Sequence, residues 1–454
     1  MNFAFYDLET TGISPAFDQP LQFAAILTDG EFGQIERVNL RCRIAPHIIP
    51  SPWALAVTGV RPTQLVDPAL PTLFEFTQEL SALIERWSPA IWTGFNSIRF
   101  DEEMLRQAFY QNLQPDIFAT QFNGNTRFDI LTALYAAWYR QPDLLTWPVD
   151  ADGRVRFKLD RIAPLNGFAA HNAHDALGDV EATIHIARAL AQRAPELWTE
   201  LLSNRDKGHV QAGLVTFQPM ALVERFGGGL PRATIGCFCG TSTSNPNQAA
   251  FFDLDAADPA GLLTADDAAI FAAVDATPKV IRSVTVNKSP ALLSVAAPSA
   301  EQLRRAEIIA NAPEFRGRVG QALAARFPED QAAPTPPVEK QIYGGFYSHA
   351  DKALLAEFQR ADWSRRQEIV ATLSDPRLRQ LGRRLVAFYA PELLSQEERA
   401  QYRAWLDERW SAPDVPETEW TSMEGAFAAL TQMRANEESV PALMEEIETY
   451  LRQF

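Results

Sequence analysis

The sequence predicts an α/β domain, then a β-rich domain, then an α-helical domain, from three textures along the chain. Residues 1–194 alternate short apolar runs with segments of helical periodicity. Residues 195–343 carry glycine clusters and β-branched runs between turn residues, and residues 344–454 are rich in Ala, Leu, Glu, Gln and Arg with little Gly. At 454 residues, 46% apolar and 22% charged, the chain can bury more than one core, which excludes a disordered protein, a collagen and a disulfide-stapled miniprotein.

Each element has its own signal. Phe3, Phe5, Asp7 and Glu9 share one face of a predicted strand and Ala4, Tyr6 and Leu8 the other, so two carboxylates project side by side. Leu21 to Thr28 and Ile35 to Ile44 flank Asp29-Gly30-Glu31-Phe32-Gly33 and read as antiparallel strands joined by a turn. Thr72 and Glu75 have capping-box spacing ahead of Leu73, Phe76, Leu80, Leu83, Ile84 and Trp87, which recur at helical intervals and lead into a strand at Ala90 to Phe95. Further helices are predicted near 101–113, 128–140 and 175–193, the last with Val180, Ile184, Ala187 and Ala191 on one stripe. Beyond Pro195, Gly227-Gly228-Gly229, Thr241 to Asn247 and Val280 to Val286 point to short strands and turns. The proline-rich stretch 328–337 reads as an exposed connection, and helical spacing resumes from Asp351 to Phe358 and from Met433 to Leu451.

Lysine and arginine number 41 against 57 acids, a net charge of −16, so no global basic field suits a passive nucleic-acid coat. Charge is unevenly spread. The tail 411–454 has only Arg434 and Arg452 as bases, whereas Arg360, Arg365, Arg366, Arg377, Arg379, Arg383 and Arg384 face only Asp362, Glu368 and Asp375. The three cysteines, Cys42, Cys237 and Cys239, do not complete a zinc site and fit a reducing compartment. With no signal-peptide pattern and no apolar run approaching ~20 residues, a cytoplasmic protein without a membrane span is expected.

The chemistry is carried by acids in three settings. Asp7-Leu8-Glu9-Thr10-Thr11-Gly12 closes the first strand, Asn96-Ser97-Ile98-Arg99-Phe100-Asp101 leads into a helix, and His174-Asp175-Ala176-Leu177-Gly178-Asp179 opens another. A single Asp at a helix start is ordinarily a cap. Four carboxylates together supply the hard oxygen ligands that Mg²⁺ or Mn²⁺ takes and cannot stay crowded and ionised without divalent cations, so a two-metal site is expected. Asp129 and Asp175 are expected to support or cap, and His47, His171, His185, His209 and His349 to be structural.

These three segments resemble the exonuclease motifs of the DEDDh group, Asp-x-Glu, Asn-x-x-x-Phe-Asp and His-x-Ala-x-x-Asp. Asn287-Lys288-Ser289-Pro290 and Tyr343-Gly344-Gly345-Phe346 extend the resemblance to bacterial members with two further domains. The resemblance implies a ribonuclease H-like exonuclease domain over 1–194, an SH3-like domain over 195–343 and a helical domain over 344–454. It implies 3′→5′ hydrolysis of single-stranded DNA to 5′-mononucleotides, in repair and recombination. Asp7, Glu9, Asp101 and Asp179 would hold two Mg²⁺ ions, with Mn²⁺ a possible substitute, and His174 would be the general base, a task that suits an imidazole of ordinary pKa about 6.5.

Leu8, Glu9, Thr10 and Thr11 would surround the terminal nucleotide. Lys158, Arg106, Arg127, Arg205, Lys207 and Lys288 are candidate phosphate contacts, and Phe157, Trp138, Tyr343 and Tyr347 candidate stacking platforms. The implied partners are a single-stranded DNA 3′ end and the acidic tail of single-stranded DNA-binding protein, with the arginines of 360–384 as one docking site; a monomer is implied. Two alternatives stand beside this reading, an exoribonuclease of the same chemistry and a non-catalytic single-strand-binding scaffold.

Overall fold

The computed structural model describes residues 1–168, 175–326, 335–435 and 441–453. Its first sheet has the order β3-β2-β1-β4-β5, formed by Asn2–Thr10 (β1), Pro20–Thr28 (β2), Gln34–Arg41 (β3), Ala90–Gly94 (β4) and Thr126–Asp129 (β5). β1 is central. It runs antiparallel to β2, with Glu9 opposite Gln22, and parallel to β4, with Phe3 opposite Ile91. The predicted alternation holds: Ala4, Tyr6 and Leu8 enter one core with the helices Leu73–Trp87 and Asp101–Gln111, and Phe3 and Phe5 enter the other with Ile130–Arg140 and Ala176–Arg193. Both faces of β1 are thus covered by helices, and Asp7 and Glu9 continue the Phe3–Phe5 face toward the carboxyl end of the strand.

The helix Leu73–Trp87 starts where its sequence says it should. Thr72 Oγ1 accepts from the Glu75 amide while the Glu75 carboxylate accepts from the Thr72 amide, a reciprocal cap that stabilises by about 1 kcal/mol.

A second, antiparallel sheet has the order β10-β6-β7-β8-β9, built from Met220–Glu224 (β6), Arg232–Thr241 (β7), Gln248–Asp253 (β8), Ile281–Thr285 (β9) and Leu292–Ser294 (β10). The β-rich expectation needs correction, because Pro195–Ser203, Lys207–Leu214, Asp267–Asp275, Ala300–Ala310 and Pro313–Ala325 are helices. Three of them cover one sheet face, where Ile270, Ile309, Phe315 and Val319 pack on Cys237, Cys239 and Phe252. They pack closely. A Cβ on Gly320 would lie 2.3 Å from the Thr241 carbonyl oxygen, so only glycine permits this approach of helix to strand.

The last third is helical, as expected, from His349–Arg360 through Trp363–Thr372, Pro376–Tyr389, Gln396–Trp410 and Met423–Arg434 to Pro441–Leu451. Packing crosses both expected boundaries. Leu197, Trp198 and Leu201 complete the first sheet's core, and Val338 and Ile342 pack with Leu378, Leu381 and Leu385 against its opposite face. Buried Glu339 fastens this junction, 2.7 Å from Arg384 and 3.4 Å from Arg409. Most of the proline stretch 328–337 lies outside the described residues. Among the described residues no helix is long and apolar enough to cross a membrane.

Candidate active site

The carboxylates of Asp7, Glu9 and Asp179 each place an oxygen within 4.8 Å of the others, from the end of β1 and the first turn of the helix Ala176–Arg193. Asp101 joins them from the first turn of its helix: it is 4% exposed, and its Oδ1 accepts from the Leu8 amide at 3.1 Å, fixing it against β1 between the two strand acids. His174 lies outside the described residues.

Burial and mutual repulsion set the electrostatics. Burial, then Asp101, Glu9 and Asp179, hold the Asp7 carboxyl well above the ordinary range. Burial and the charges of Asp179, Asp101 and Asp175 push Glu9 up to about 8, with Arg41 opposing. Burial likewise pushes Asp101 up to about 8 although the Leu8 amide hydrogen bond works against it. Carboxyl oxygens crowded this closely repel one another when ionised, and divalent cations relieve that repulsion, so the donor set fits hard ions such as Mg²⁺ and Mn²⁺.

Neighbouring groups hold the acids in place. Asp129 caps the helix Ile130–Arg140 and also accepts from the Asn96 and Ile98 amides, tying the Asn96–Asp101 segment to β5. Asn96 has φ +66°, a left-handed turn that Asn tolerates better than most residues. Asp175 stands at the cap position of its helix without capping it: it accepts from Gln22 Nε2 at 3.1 Å and lies 3.8 Å from Arg41. Arg41 escaped the sequence reading, because its place beside the acids comes from its pairing with Gln22 on β2 and no local pattern announces it.

A cavity of about 600 Å³ opens beside Glu9. Leu8, Thr10, Ile13, Trp53 and Phe100 wall it from the first domain and Trp420 from the last helical region, whose ring packs 5.6 Å from Phe17. Thr11, fully buried, turns its hydroxyl to Asp18 at 2.8 Å and braces the loop behind the cavity.

Several expected substrate contacts are placed elsewhere. Arg106 and Arg127 are buried on Glu102, Arg106 at 2.8 Å and Arg127 at 3.5 Å, where Thr120 and Tyr6 also donate to the same carboxylate. Burial would raise Glu102, but the two guanidiniums and these hydrogen bonds outweigh it and hold the carboxyl below its ordinary range. They are internal counter-ions, and Arg127 also donates to the Asn287 carbonyl of the second domain at 2.8 Å. Phe157 is 5% exposed, packed by Tyr135, Trp138 and Trp147, so it is core and not a platform. Arg205 donates to the Leu202 carbonyl and to the sulfur of Met1, at the far end of β1, roughly 20 Å from the acids, and Lys207 begins a helix two residues later.

Lys158 is exposed at the start of the helix Leu159–Leu165 and remains available, as does Lys288, which is 3.4 Å from Glu103. Of the arginines in 360–384, Arg366 and Arg377 are buried, Arg384 is held by Glu339, and Arg365 pairs with Glu357 and Glu368. That window is therefore structural in part, while Arg360 and Arg383 are exposed.

Comparison with known proteins gives a coherent result. A family model described as Exonuclease matches residues 4–187, and one described as Exonuclease I C-terminal domain matches 336–454. The exodeoxyribonuclease I of Haemophilus influenzae is 27% identical over 476 aligned residues, covering 99% of this chain and 98% of the relative. Among solved structures, E. coli exonuclease I in complex with a dA16 oligonucleotide superposes with a TM-score of 0.83 at 28% identity, and a complex of SSB with exonuclease I with 0.81 at 27%, each covering 100% of this chain and 99% of the other.

Proposed function

The chain belongs to the exodeoxyribonuclease I family, and from that premise we propose that it is a 3′→5′ exonuclease of single-stranded DNA releasing 5′-mononucleotides with two Mg²⁺ ions, Mn²⁺ being able to substitute. The observation that carries the reading is the convergence of Asp7, Glu9 and Asp179 within 4.8 Å at the carboxyl end of the central strand. Asp7, Glu9, Asp179 and Asp101 would hold the ions. When bound, divalent cations supply charge neutralisation at the phosphoryl oxygens and lower the pKa of water to near neutrality.

The protein's own groups do the rest. His174 takes the proton of the attacking water on an imidazole nitrogen. The cavity beside Glu9 receives the terminal nucleoside, with Leu8 and Thr10 in its wall, and Lys158 offers a point charge to a phosphate. Asp129, through its four backbone hydrogen bonds, keeps Asp101 from drifting. The expected division into nuclease, SH3-like and helical units at 194 and 343 is supported by the two separate sheets and the helical last third, with packing that runs across the junctions. Partners are the 3′ end of single-stranded DNA and single-stranded DNA-binding protein, and a role in DNA repair in the cytoplasm follows from them.

The test compares a 5′-labelled single-stranded DNA oligonucleotide with its duplex and its RNA counterpart, each with Mg²⁺, with Mn²⁺ and with EDTA. Metal-dependent shortening mainly of the single-stranded DNA is expected. Preferential loss of the RNA would keep the chemistry and overturn the substrate.

A further inference from the structure

Arg41 stands beside the acids with no task in the reaction described above. Glu9 on β1 lies opposite Gln22 on β2, and Gln22 lies opposite Arg41 on β3, so the three side chains form one row on one face of the sheet. β3 runs in the same direction as β1, since each is antiparallel to β2, and Arg41 is its last residue. The side chain therefore starts from the carboxyl end of the sheet, where Asp7, Glu9 and Asp179 converge. Its charge is felt there, because it opposes the upward push on the Glu9 carboxyl.

The guanidinium is weakly committed. Its Nη2 is 3.8 Å from Asp175 Oδ1, beyond hydrogen-bond length, and the side chain is 33% exposed. Among the described residues it makes no hydrogen bond. Asp175 does not depend on it, because buried Gln22 donates to the same Oδ1 at 3.1 Å and is itself braced on Asn39 at 2.9 Å. Arg41 can thus leave Asp175 without stranding that carboxylate. Other arginines of the domain are held: Arg106 and Arg127 are buried on Glu102, and Arg37, on the same sheet face as Arg41, donates to Glu181 at 2.5 Å. A phosphate brought among these carboxylates needs cations, and Arg41 is close by with its donors unspent.

We propose that Arg41 is a phosphate-binding residue of the reaction, turning from Asp175 to hold the phosphate of the terminal nucleotide as it becomes a free 5′-mononucleotide. The inference rests on the function proposed above and adds a residue to it. Cleavage joins the water oxygen to phosphorus and breaks the bond between phosphorus and the 3′ oxygen of the shortened strand, which keeps the electron pair and takes a proton. The diester carries one negative charge, whereas a phosphate monoester carries about −1.5 to −2 at pH 7. Negative charge therefore grows on the phosphate while that of Asp175 is unchanged, and this draws the guanidinium across. An arginine can meet two phosphate oxygens with parallel hydrogen bonds, which the point charge of Lys158 cannot do.

The experiment measures binding of 5′-dAMP and of deoxyadenosine by titration calorimetry in Mg²⁺, and the inhibition of single-strand digestion by each, for the full chain and for Arg41→Gln and Arg41→Lys. Arg41 ends an edge strand and is partly exposed, so both variants should fold. The wild type is expected to bind 5′-dAMP more tightly than the nucleoside. Arg41→Gln should lose about tenfold of 5′-dAMP affinity and Arg41→Lys part of that, with nucleoside binding unchanged in both. A wild type that does not prefer 5′-dAMP, or an Arg41→Gln variant within about twofold of it, overturns the proposal. An equal loss for both ligands does the same, since it reports a change of pocket shape. If Arg41→Gln slows digestion with 5′-dAMP binding intact, and adding Asp175→Asn restores the rate, Arg41 only balances Asp175 and the proposal is again overturned. Failure of the wild type to shorten a single strand would sink the proposed function itself, a separate outcome.

Discussion

At the scale of single residues, the site is a problem of crowded negative charge with a chemical solution. Asp7→Asn or Asp179→Asn removes a ligand while keeping shape, and cleavage should fall by more than about a thousandfold, read from initial rates on a labelled strand. The same crowding has a signature in stability. Glu9 binds its proton up to about pH 8 in the folded protein, against an ordinary value of 4.5. Between those values the folded state holds a proton that the unfolded chain has released, so the stabilisation is fully present below about 4.5 and is lost as pH rises to about 8. Half-buried His47, whose charged form is disfavoured by desolvation, acts in the opposite sense, but only below its ordinary value of 6.5. In EDTA the melting temperature should therefore fall from pH 6.5 to 8 by several degrees, at roughly 2 to 4 °C per kcal/mol. Adding Mg²⁺ should flatten that slope, as should Glu9→Gln in part. A slope unchanged by metal would show that the acids do not form a cation site.

Elements are held by interactions whose two ends lie far apart in sequence. Glu102 collects Tyr6 of β1, Thr120, Arg106 and Arg127 of β5 around one buried carboxylate. Glu102→Ala leaves Arg127 buried without its counter-charge and Arg106 with only Glu103, at 3.5 Å, and should destabilise by about 3 to 5 kcal/mol in a denaturant titration. If Arg127 is the structural cation described above, Arg127→Gln should leave the salt dependence of strand binding unchanged, whereas loss of a true phosphate contact lowers that slope by about 1. The strand β1, the β2–β3 pair and the helix capped by Thr72 were legible in sequence because each is written in a local period or a cap. The hub at Glu102 was not, since which acid meets which arginine depends on how β1, β4 and β5 pair. The helices between 195 and 343 were missed for another reason: Gly227-Gly228-Gly229, Thr241 to Asn247 and Val280 to Val286 do mark turns and a strand, and the helices lie in the stretches outside these signals. Phe157 was misread because an aromatic beside a lysine looks alike in a groove and in a core.

For the whole molecule, the helical last third closes the first domain. Trp420 walls the cavity beside Glu9, and Glu339, Arg384 and Arg409 fasten the region to the helix Asp101–Gln111 through the Gln107 and Tyr110 contacts with the Glu339 and Val338 carbonyls. Glu339→Gln should weaken that junction, and limited proteolysis should cut within 335–345 faster than in the wild type while the acids remain in place. The motif acids, the helical end and the family were readable from the chain because they rest on contiguous segments; the shared walls between its parts were not, since they form only when distant segments meet. The most direct measurement of the central claim follows a 5′-labelled single strand with the wild type and with Asp179→Asn, each with Mg²⁺ and with EDTA. A ladder shortening from the 3′ end only for the wild type with metal is the expected result. Shortening that persists in EDTA or in Asp179→Asn would contradict the assignment of these acids as the metal-holding catalytic centre.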